Sequence, residues 1–248
     1  MGRKKTLSLF RMDLHIHTCL SPCGCSEMVP TRIIEKALQK RLDLIGVCDH
    51  NASENYPAVK RAAEKSGVRV LGGIEVTSKE EIHILALFGC EQDLNAMQKI
   101  VYAHLRGVND SDAFGEQYIV DQNDYVKGIN RRLLIGSTDI SLEETVAHIH
   151  ECRGIAIASH IDRDAFSIIS QLGFIPEGLA LDAVELAFGH SKPSAFSGAC
   201  RYPVLRFSDA HFLRDIGAAH TKALLAGPTI EELRKALGGK RGRRILAE

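Results

Sequence analysis

Leu7-Ser8-Leu9-Phe10-Arg11-Met12-Asp13-Leu14-His15-Ile16-His17 runs from an apolar stretch into two histidines set two residues apart. In a β-strand, residues two apart point to the same side, so both imidazoles can reach one point beyond the strand's end. Two nitrogen donors on one rigid element make the start of a transition-metal site. By itself a His-x-His pair also reads as a surface accident, and its company decides the matter. Asp49-His50 closes the next strand-like run, Glu75 closes the third, and His83 sits in a fourth. His160 follows Ile155-Ala156-Ile157-Ala158-Ser159, and Asp209-x-His211 follows Val204-Leu205-Arg206-Phe207. Nearly every predicted strand ends in a metal-type ligand.

Between these runs the pattern alternates strand and helix. A polar turn with Pro22, Gly24 and Pro30 follows the first strand. Thr31 is then expected to cap a helix reaching about Lys40, with Ile33, Ile34, Ala37 and Leu38 on one face. Leu42 to Cys48 reads as a buried strand, Tyr56 to Ser66 as a helix stopped by Gly67, Val68 to Ile74 as a third strand and Ile82 to Phe88 as a fourth. Alternation of this kind predicts parallel strands joined by right-handed helical crossovers. From about Gly107 to Ser141 the chain turns polar and loses clean periodicity, an insertion that is either a lid over the site or an inert excursion. Ser141-Leu142-Glu143-Glu144 is a capping box, strands resume at Ile155, and a last helix runs from Thr229 to Leu237. Val184-Glu185-Leu186 and Ala223-Leu224-Leu225 read as further short strands. Seven or eight such units fit an α/β barrel better than an open sheet, and barrel active sites sit where strands end.

The composition narrows the function. With 248 residues, 45% of them hydrophobic, the chain can bury a sizeable core. Its 31 basic and 31 acidic residues balance, so no overall field steers it to nucleic acid or an anionic membrane. The cluster Lys240-Arg241-Gly242-Arg243-Arg244 reads as a solvated tail. No apolar run approaches the ~20 residues of a membrane span, and Met1-Gly2-Arg3-Lys4-Lys5 lacks an apolar signal core and is a weak match to an acylation signal. The seven cysteines form no disulfide scaffold in so long and apolar a chain, and a reducing cytoplasm is the expected location. Cys19, Cys23 and Cys25 cluster but lack a nearby fourth thiolate for an iron–sulfur or zinc site. No Gly-x-Gly-x-x-Gly, Gly-Lys-Ser or Gly-x-Ser-x-Gly stretch supports a nucleotide cofactor or a serine hydrolase.

Six histidines, a glutamate and one or two aspartates exceed the about four ligands of one zinc ion. They suit two or three metals sharing a carboxylate, with Glu75 the obvious bridge. Metals about 3.5–4 Å apart can hold both the attacking and the leaving oxygen of a phosphoryl displacement. Mixed imidazole and carboxylate donors suit zinc, manganese or iron better than calcium or magnesium.

At these residues the chain resembles a known family. His15-x-His17-Thr18, Asp49-His50-Asn51, Gly73-Ile74-Glu75-Val76-Thr77, Ser159-His160 and Ser208-Asp209-Ala210-His211 are similar, in order and spacing, to the motifs of the PHP (polymerase and histidinol phosphatase) family. The resemblance extends from about residue 11 to 226. It implies a distorted seven-stranded, TIM-like (β/α) barrel with a polar insertion at about 107–141, one domain over residues 1–248, a trinuclear metal site and phosphoester hydrolysis. By that likeness one metal would be held by His15, His17, Glu75 and Asp209. A second would share Glu75 and add His83 and His160. A third would take His50 and His211 with one donor from the loop after the first strand. Family members with a similar Ser-Pro-Cys-Gly loop carry an acidic residue where Cys25 stands. Cys25 as thiolate, Glu27 as substitute, a weak or absent third metal, and Cys25 as a plain buried thiol all stay open.

Asp49, which precedes His50, either binds metal or orients that imidazole, and orientation is the favoured role. Arg163, three residues past His160, is the expected phosphate clamp, because a guanidinium matches phosphate oxygens with paired donors; the alternative is a salt bridge to Asp162, Asp164 or another carboxylate. His104, His148, His150, His190 and His220 lack strand-end placement and read as helix or loop histidines, with His190 the one to revisit. The expected enzyme is a phosphoesterase acting on a small phosphomonoester such as a nucleotide or histidinol phosphate. One rival is a 3′-5′ exonuclease, for which Arg131-Arg132 and the C-terminal cluster are the only groove candidates. A catalytically silent metal-binding module is another rival. A metal-dependent amidohydrolase is a third, but no lysine stands at a strand end.

Overall fold

The computed structural model describes residues 6–187 and 193–246. The Met1-Gly2 start and His190 lie outside the described residues. The elements in chain order are β1 (Ser8–Ile16), α1 (Pro30–Gln39), β2 (Leu44–Val47), α2 (Tyr56–Ala62), β3 (Arg69–Thr77), β4 (His83–Phe88), α3 (Glu91–His104), α4 (Ser111–Phe114), β5 (Tyr118–Val120), β6 (Val126–Ile129), α5 (Leu142–Glu151), β7 (Ile155–Ala158), α6 (Ile168–Leu172), β8 (Ala183–Leu186), β9 (Val204–Arg206), β10 (Thr221–Leu225), α7 (Ile230–Leu237) and β11 (Arg244–Leu246).

One sheet runs β11-β10-β1-β2-β3-β4-β7-β8-β9. The segment β1 to β9 curls until the residues after β9 meet β1 again. There Ile16 and Ala210 form a parallel bridge, His17 N–H donates to the Ala210 carbonyl at 3.0 Å, and Ala210 N–H donates to the His15 carbonyl at 3.2 Å. The result is a nearly closed, distorted barrel of seven strands, with β10 and β11 laid against β1 outside the ring. The strands β2, β4, β7 and β8 are buried along their whole length and are largely apolar on both faces for that reason. Alternation still sorts them: Leu44, Leu85, Leu87, Ile155 and Ile157 join a cluster that α7 closes through Ile230, Leu233 and Ala236. Their neighbours Ile45, Ile84, Ala86, Ala156 and Ala158 pack in a separate cluster with helices α1, α2, α3 and α5.

Two departures from the expected layout have local causes. The strand β4 is antiparallel to both β3 and β7, not parallel. Only residues 78–82 separate it from β3, and a parallel return needs about a dozen residues or more. This reversal places His83, the first residue of β4, opposite Thr77, the last of β3, at the end of the barrel where the other strands finish. At α1 the N-cap is Val29 without a side-chain bond, and Pro30 opens the helix. Proline has no N–H to satisfy and a preset φ, so it can start the helix without Thr31 as cap. Thr31 instead donates its N–H and hydroxyl to Asp124. The expected caps at Ser141 and Thr229 are present.

The 107–141 stretch folds as α4 and the β5–β6 hairpin, and it packs on the loops after β1 and β2. Asn55 donates to the Tyr118 carbonyl and accepts from Val120 N–H, both at 2.9 Å. Asn51 donates to the Leu134 and Gly136 carbonyls at 2.9 and 2.8 Å. Among the described residues no helix is long and apolar enough to cross a membrane.

Candidate metal centre

The β1–β2 pairing shifts register between Asp13 and Ile16, a bulge that turns the end of β1 toward the barrel axis. It brings His15 Nε2 and His17 Nε2 to 3.2 Å of each other. After β2 the pairing with β3 continues through a bridge between His50 and Glu75, which sets the His50 imidazole against the Glu75 carboxylate. His83 comes in from the start of β4, His160 follows β7, and Asp209 and His211 follow β9. Asn51, His160 and Asp209 all have left-handed backbone, with φ of 51°, 27° and 46°. Such conformations in residues other than glycine concentrate at functional sites.

Glu75 is the centre. Its Oε1 lies 3.3 Å from His15 Nε2, 3.2 Å from His83 Nδ1 and 3.3 Å from His160 Nε2. Its Oε2 lies 3.4 Å from His17 Nε2 and 3.1 Å from His50 Nδ1. Neither oxygen makes a hydrogen bond, and neither do His50 Nδ1 and His83 Nδ1, although all are buried. Donor atoms aimed at a common point rather than at each other explain this. Ligands about 2.1 Å from a tetrahedral ion stand about 3.4 Å apart, which is the spacing found here. The residues fit a metal cluster.

Three overlapping groups of ligand atoms lie within 4.8 Å: His15, His17, Glu75 and Asp209; His50, Glu75 and His83; and His17, His50 and His211. The eight expected ligands therefore converge, with His160 joining through Glu75. The loop donors do not: Glu27 is exposed and pairs with Arg32 at 3.5 Å, and Cys25 packs at the edge of the hydrophobic core. Cys23 is the thiol that interacts with His50.

The partners behind the ligands set their tautomers. His15 Nδ1–H donates to Glu185 at 2.9 Å, and His17 Nδ1–H to Ser21 Oγ at 2.9 Å, which turns each Nε2 toward the cluster. Ser21 passes its own hydroxyl proton to Asp49 Oδ1 at 2.7 Å. Asp49 also takes Thr18 N–H and Thr18 Oγ1–H at 2.7 and 2.8 Å. Asp49 thus connects to His17 through Ser21 rather than to the ring of its neighbour His50. Arg163 Nη1 lies 2.6 Å from Asp209 Oδ2, so its carboxylate partner is neither Asp162 nor Asp164. His104, His148 and His150 pair with Asp139, Glu151 and Asp182, away from the cluster. Glu185 and Ser21 were not anticipated. A single charged residue inside the strand Ala183–Leu186 was the readable signal for Glu185; Ser21 carried none.

The electrostatics are those of a site short of positive charge. Burial lowers the pKa of His17, but the Asp209 and Glu75 carboxylates outweigh it and raise the value to about 9. Burial and the His17 charge lower that of His50, and the Cys23 thiol and Glu75 outweigh them to give about 9. Burial drops His83 to about 4, and burial with the His17 charge drops His211 to about 3. Burial opposes ionisation of Glu75 and Asp209, yet the imidazoles hold both well below the carboxylate range.

Comparison with known proteins places the chain. Over 90 residues, 34% of this chain and 33% of the relative, it is 30% identical to a phosphoribosyl 1,2-cyclic phosphate 1,2-diphosphodiesterase from Eggerthella lenta. The endonuclease Q of Pyrococcus furiosus, a lesion-specific endonuclease, superposes with a TM-score of 0.76 at 21% identity, over 96% of this chain and 58% of that one. A two-domain protein from Bacteroides vulgatus containing a predicted PHP-like metal-dependent phosphoesterase gives a TM-score of 0.59 at 18% identity, over 97% of this chain and 65% of that one. The chain thus spans about a third of the length of its curated relative and under two thirds of these fold neighbours. The PHP domain profile matches residues 13–169, well over half of the sequence, and the chain belongs to the PHP domain family.

Proposed function

We propose that the protein is a metal-dependent phosphoesterase that hydrolyses a small phosphate ester. The observation that carries this reading is Glu75, a buried carboxylate with five imidazole nitrogens within 3.4 Å and no hydrogen bond. His15, His17, Glu75 and Asp209 would hold one divalent ion, and Glu75 with His83 and His160 a second. His50 and His211 would hold a third, and zinc, manganese or iron suits this donor set. Ions bound there supply neutralisation of phosphoryl charge and acidification of water, the chemistry that phosphoester hydrolysis needs.

The chain's own groups do the rest. Glu185 and Ser21 hold His15 and His17 in the tautomer that presents Nε2, as partners of metal-bound imidazoles do. Arg163 is half exposed at the cluster, tethered by one nitrogen to Asp209, with donors left for a phosphate oxygen. The charge distribution favours a small substrate over a nucleic-acid track. Arg132 lies over the Tyr102 ring at 4.0 Å and Arg243 is bound to Glu232, so two of the basic residues that would line such a groove are already engaged. In this reading residues 1–248 act as one domain, and the 107–141 insertion braces the loops that carry the ligands.

The test is elemental analysis of protein purified without chelator, beside p-nitrophenyl phosphate hydrolysis with added manganese. The expected result is two to three equivalents of metal and turnover that chelator abolishes, with His83→Ala and His160→Ala losing both metal and rate. Less than one equivalent after reconstitution would overturn the reading. Full metal without turnover on this or nucleotide substrates would leave the silent metal-binding module.

A further inference from the structure

The segment 160–167 carries more than a ligand and an arginine. Phe166 lays its ring on the His83 imidazole, with centroids 4.8 Å apart and planes within 16° of parallel. His83 is only 8% exposed, yet Phe166 remains 41% exposed. Its backbone φ is +56°, a conformation that a bulky residue adopts only when its surroundings compel it. The compulsion is visible. The Phe166 carbonyl accepts the His83 N–H at 2.9 Å, and Ser167 both donates its hydroxyl to the Arg163 carbonyl at 2.7 Å and caps α6. An exposed phenylalanine needs no explanation alone. One held in a strained backbone against a candidate ligand, three residues from the arginine that reaches Asp209, does need one.

We propose that Phe166 is a stacking platform for a nucleobase, and therefore that the substrates are nucleotides rather than phosphorylated sugars without a base. The proposal rests on the phosphoesterase reading only for the position of the phosphate, which would lie at the cluster and Arg163. Because the half-exposed ring lies 4.8 Å from the His83 imidazole, a planar base carried by the same ester would meet it beside the cluster. Every nucleobase has a π-face, so the platform favours bases as a class over ribose alone. Phe166 is in this role a specificity-determining residue and touches none of the reacting atoms.

Binding separates the two readings. The probes are the 5′-phosphonates of adenosine and of ribose, in which carbon replaces the ester oxygen so that neither is cleaved. Calorimetry on manganese-loaded protein should find the adenosine compound bound about 5- to 160-fold more tightly, the range for one stacked base. In Phe166→Leu the two affinities should converge to within about twofold while metal content stays that of the wild type, and Phe166→Trp should keep the preference. Equal affinities in the wild type, which need no variant to detect, overturn the proposal, as does an undiminished preference in Phe166→Leu. Chelator-sensitive turnover of p-nitrophenyl phosphate, a phosphomonoester that is not a nucleotide, judges the phosphoesterase reading separately.

Discussion

A carboxylate among five imidazole nitrogens, buried and without a hydrogen bond, holds its charge only because positive charge stands near it. Nearby negative groups favour protons on His15, His17 and His50: carboxylates raise the pKa values of the first two, and the Cys23 thiol with Glu75 raises that of the third. Metal binding has to displace those protons, so each imidazole's second nitrogen matters as much as the first. Glu185 is fully buried and holds His15 Nδ1 at 2.9 Å. Glu185→Ala should therefore weaken metal binding about 10- to 100-fold, with Glu185→Gln intermediate, measured by competition against a chelating dye. An unchanged affinity would reduce Glu185 to a packing role. Arg163→Ala should lower kcat/KM for a phosphomonoester by about 10- to 100-fold, the worth of hydrogen bonds to a charged group, and leave metal content alone. Arg163→Lys should not restore the rate, because an ammonium lacks the planar pair of donors.

At the scale of elements, the site depends on strands brought unusually close. A Cβ on Gly46 of β2 would lie 2.3 Å from the Leu14 carbonyl oxygen of β1, where only a hydrogen fits. Gly46→Ala should destabilise the protein by at least about 2 kcal/mol in denaturant titration, and it should loosen the β1 end that carries His15 and His17. A melt equal to that of the wild type would mean the two strands can part at no cost. The β3–β4 hairpin matters differently. By reversing the chain in five residues, it spends no helix and delivers Glu75 and His83 from adjacent strands to one point.

At the scale of the whole molecule, the barrel is closed from outside by its C-terminal segment. Glu232 of α7 binds Arg243 at 2.8 Å and Lys235 at 2.8 Å, and it accepts the Ala226 N–H that follows β10. Its hydrogen bond with Arg243 is the main cause that lowers its pKa from 4.5 to about 2. A depressed carboxylate stabilises the fold above its unfolded value, and that contribution is lost as pH falls from about 4.5 toward 2. Thermal melts should therefore drop across that window, and Glu232→Gln should flatten the drop while lowering stability at pH 7 by about 1–2 kcal/mol. A variant that melts with the wild-type pH profile would show the contact to be idle. How much of this was legible depends on the range of the interaction. Period-two alternation, caps such as Ser141 and ligands at strand ends are written in residues a few positions apart, so the sequence by itself determined the barrel class, the position of its strands and the residues that meet at Glu75. The tertiary structure alone decided the rest. The reversal of β4, the replacement of the Thr31 cap by Pro30, the partnership of Asp49 with His17 and the place of Glu185 beside His15 join residues by distance in space. Local pattern carries no signal for contacts that only barrel closure creates.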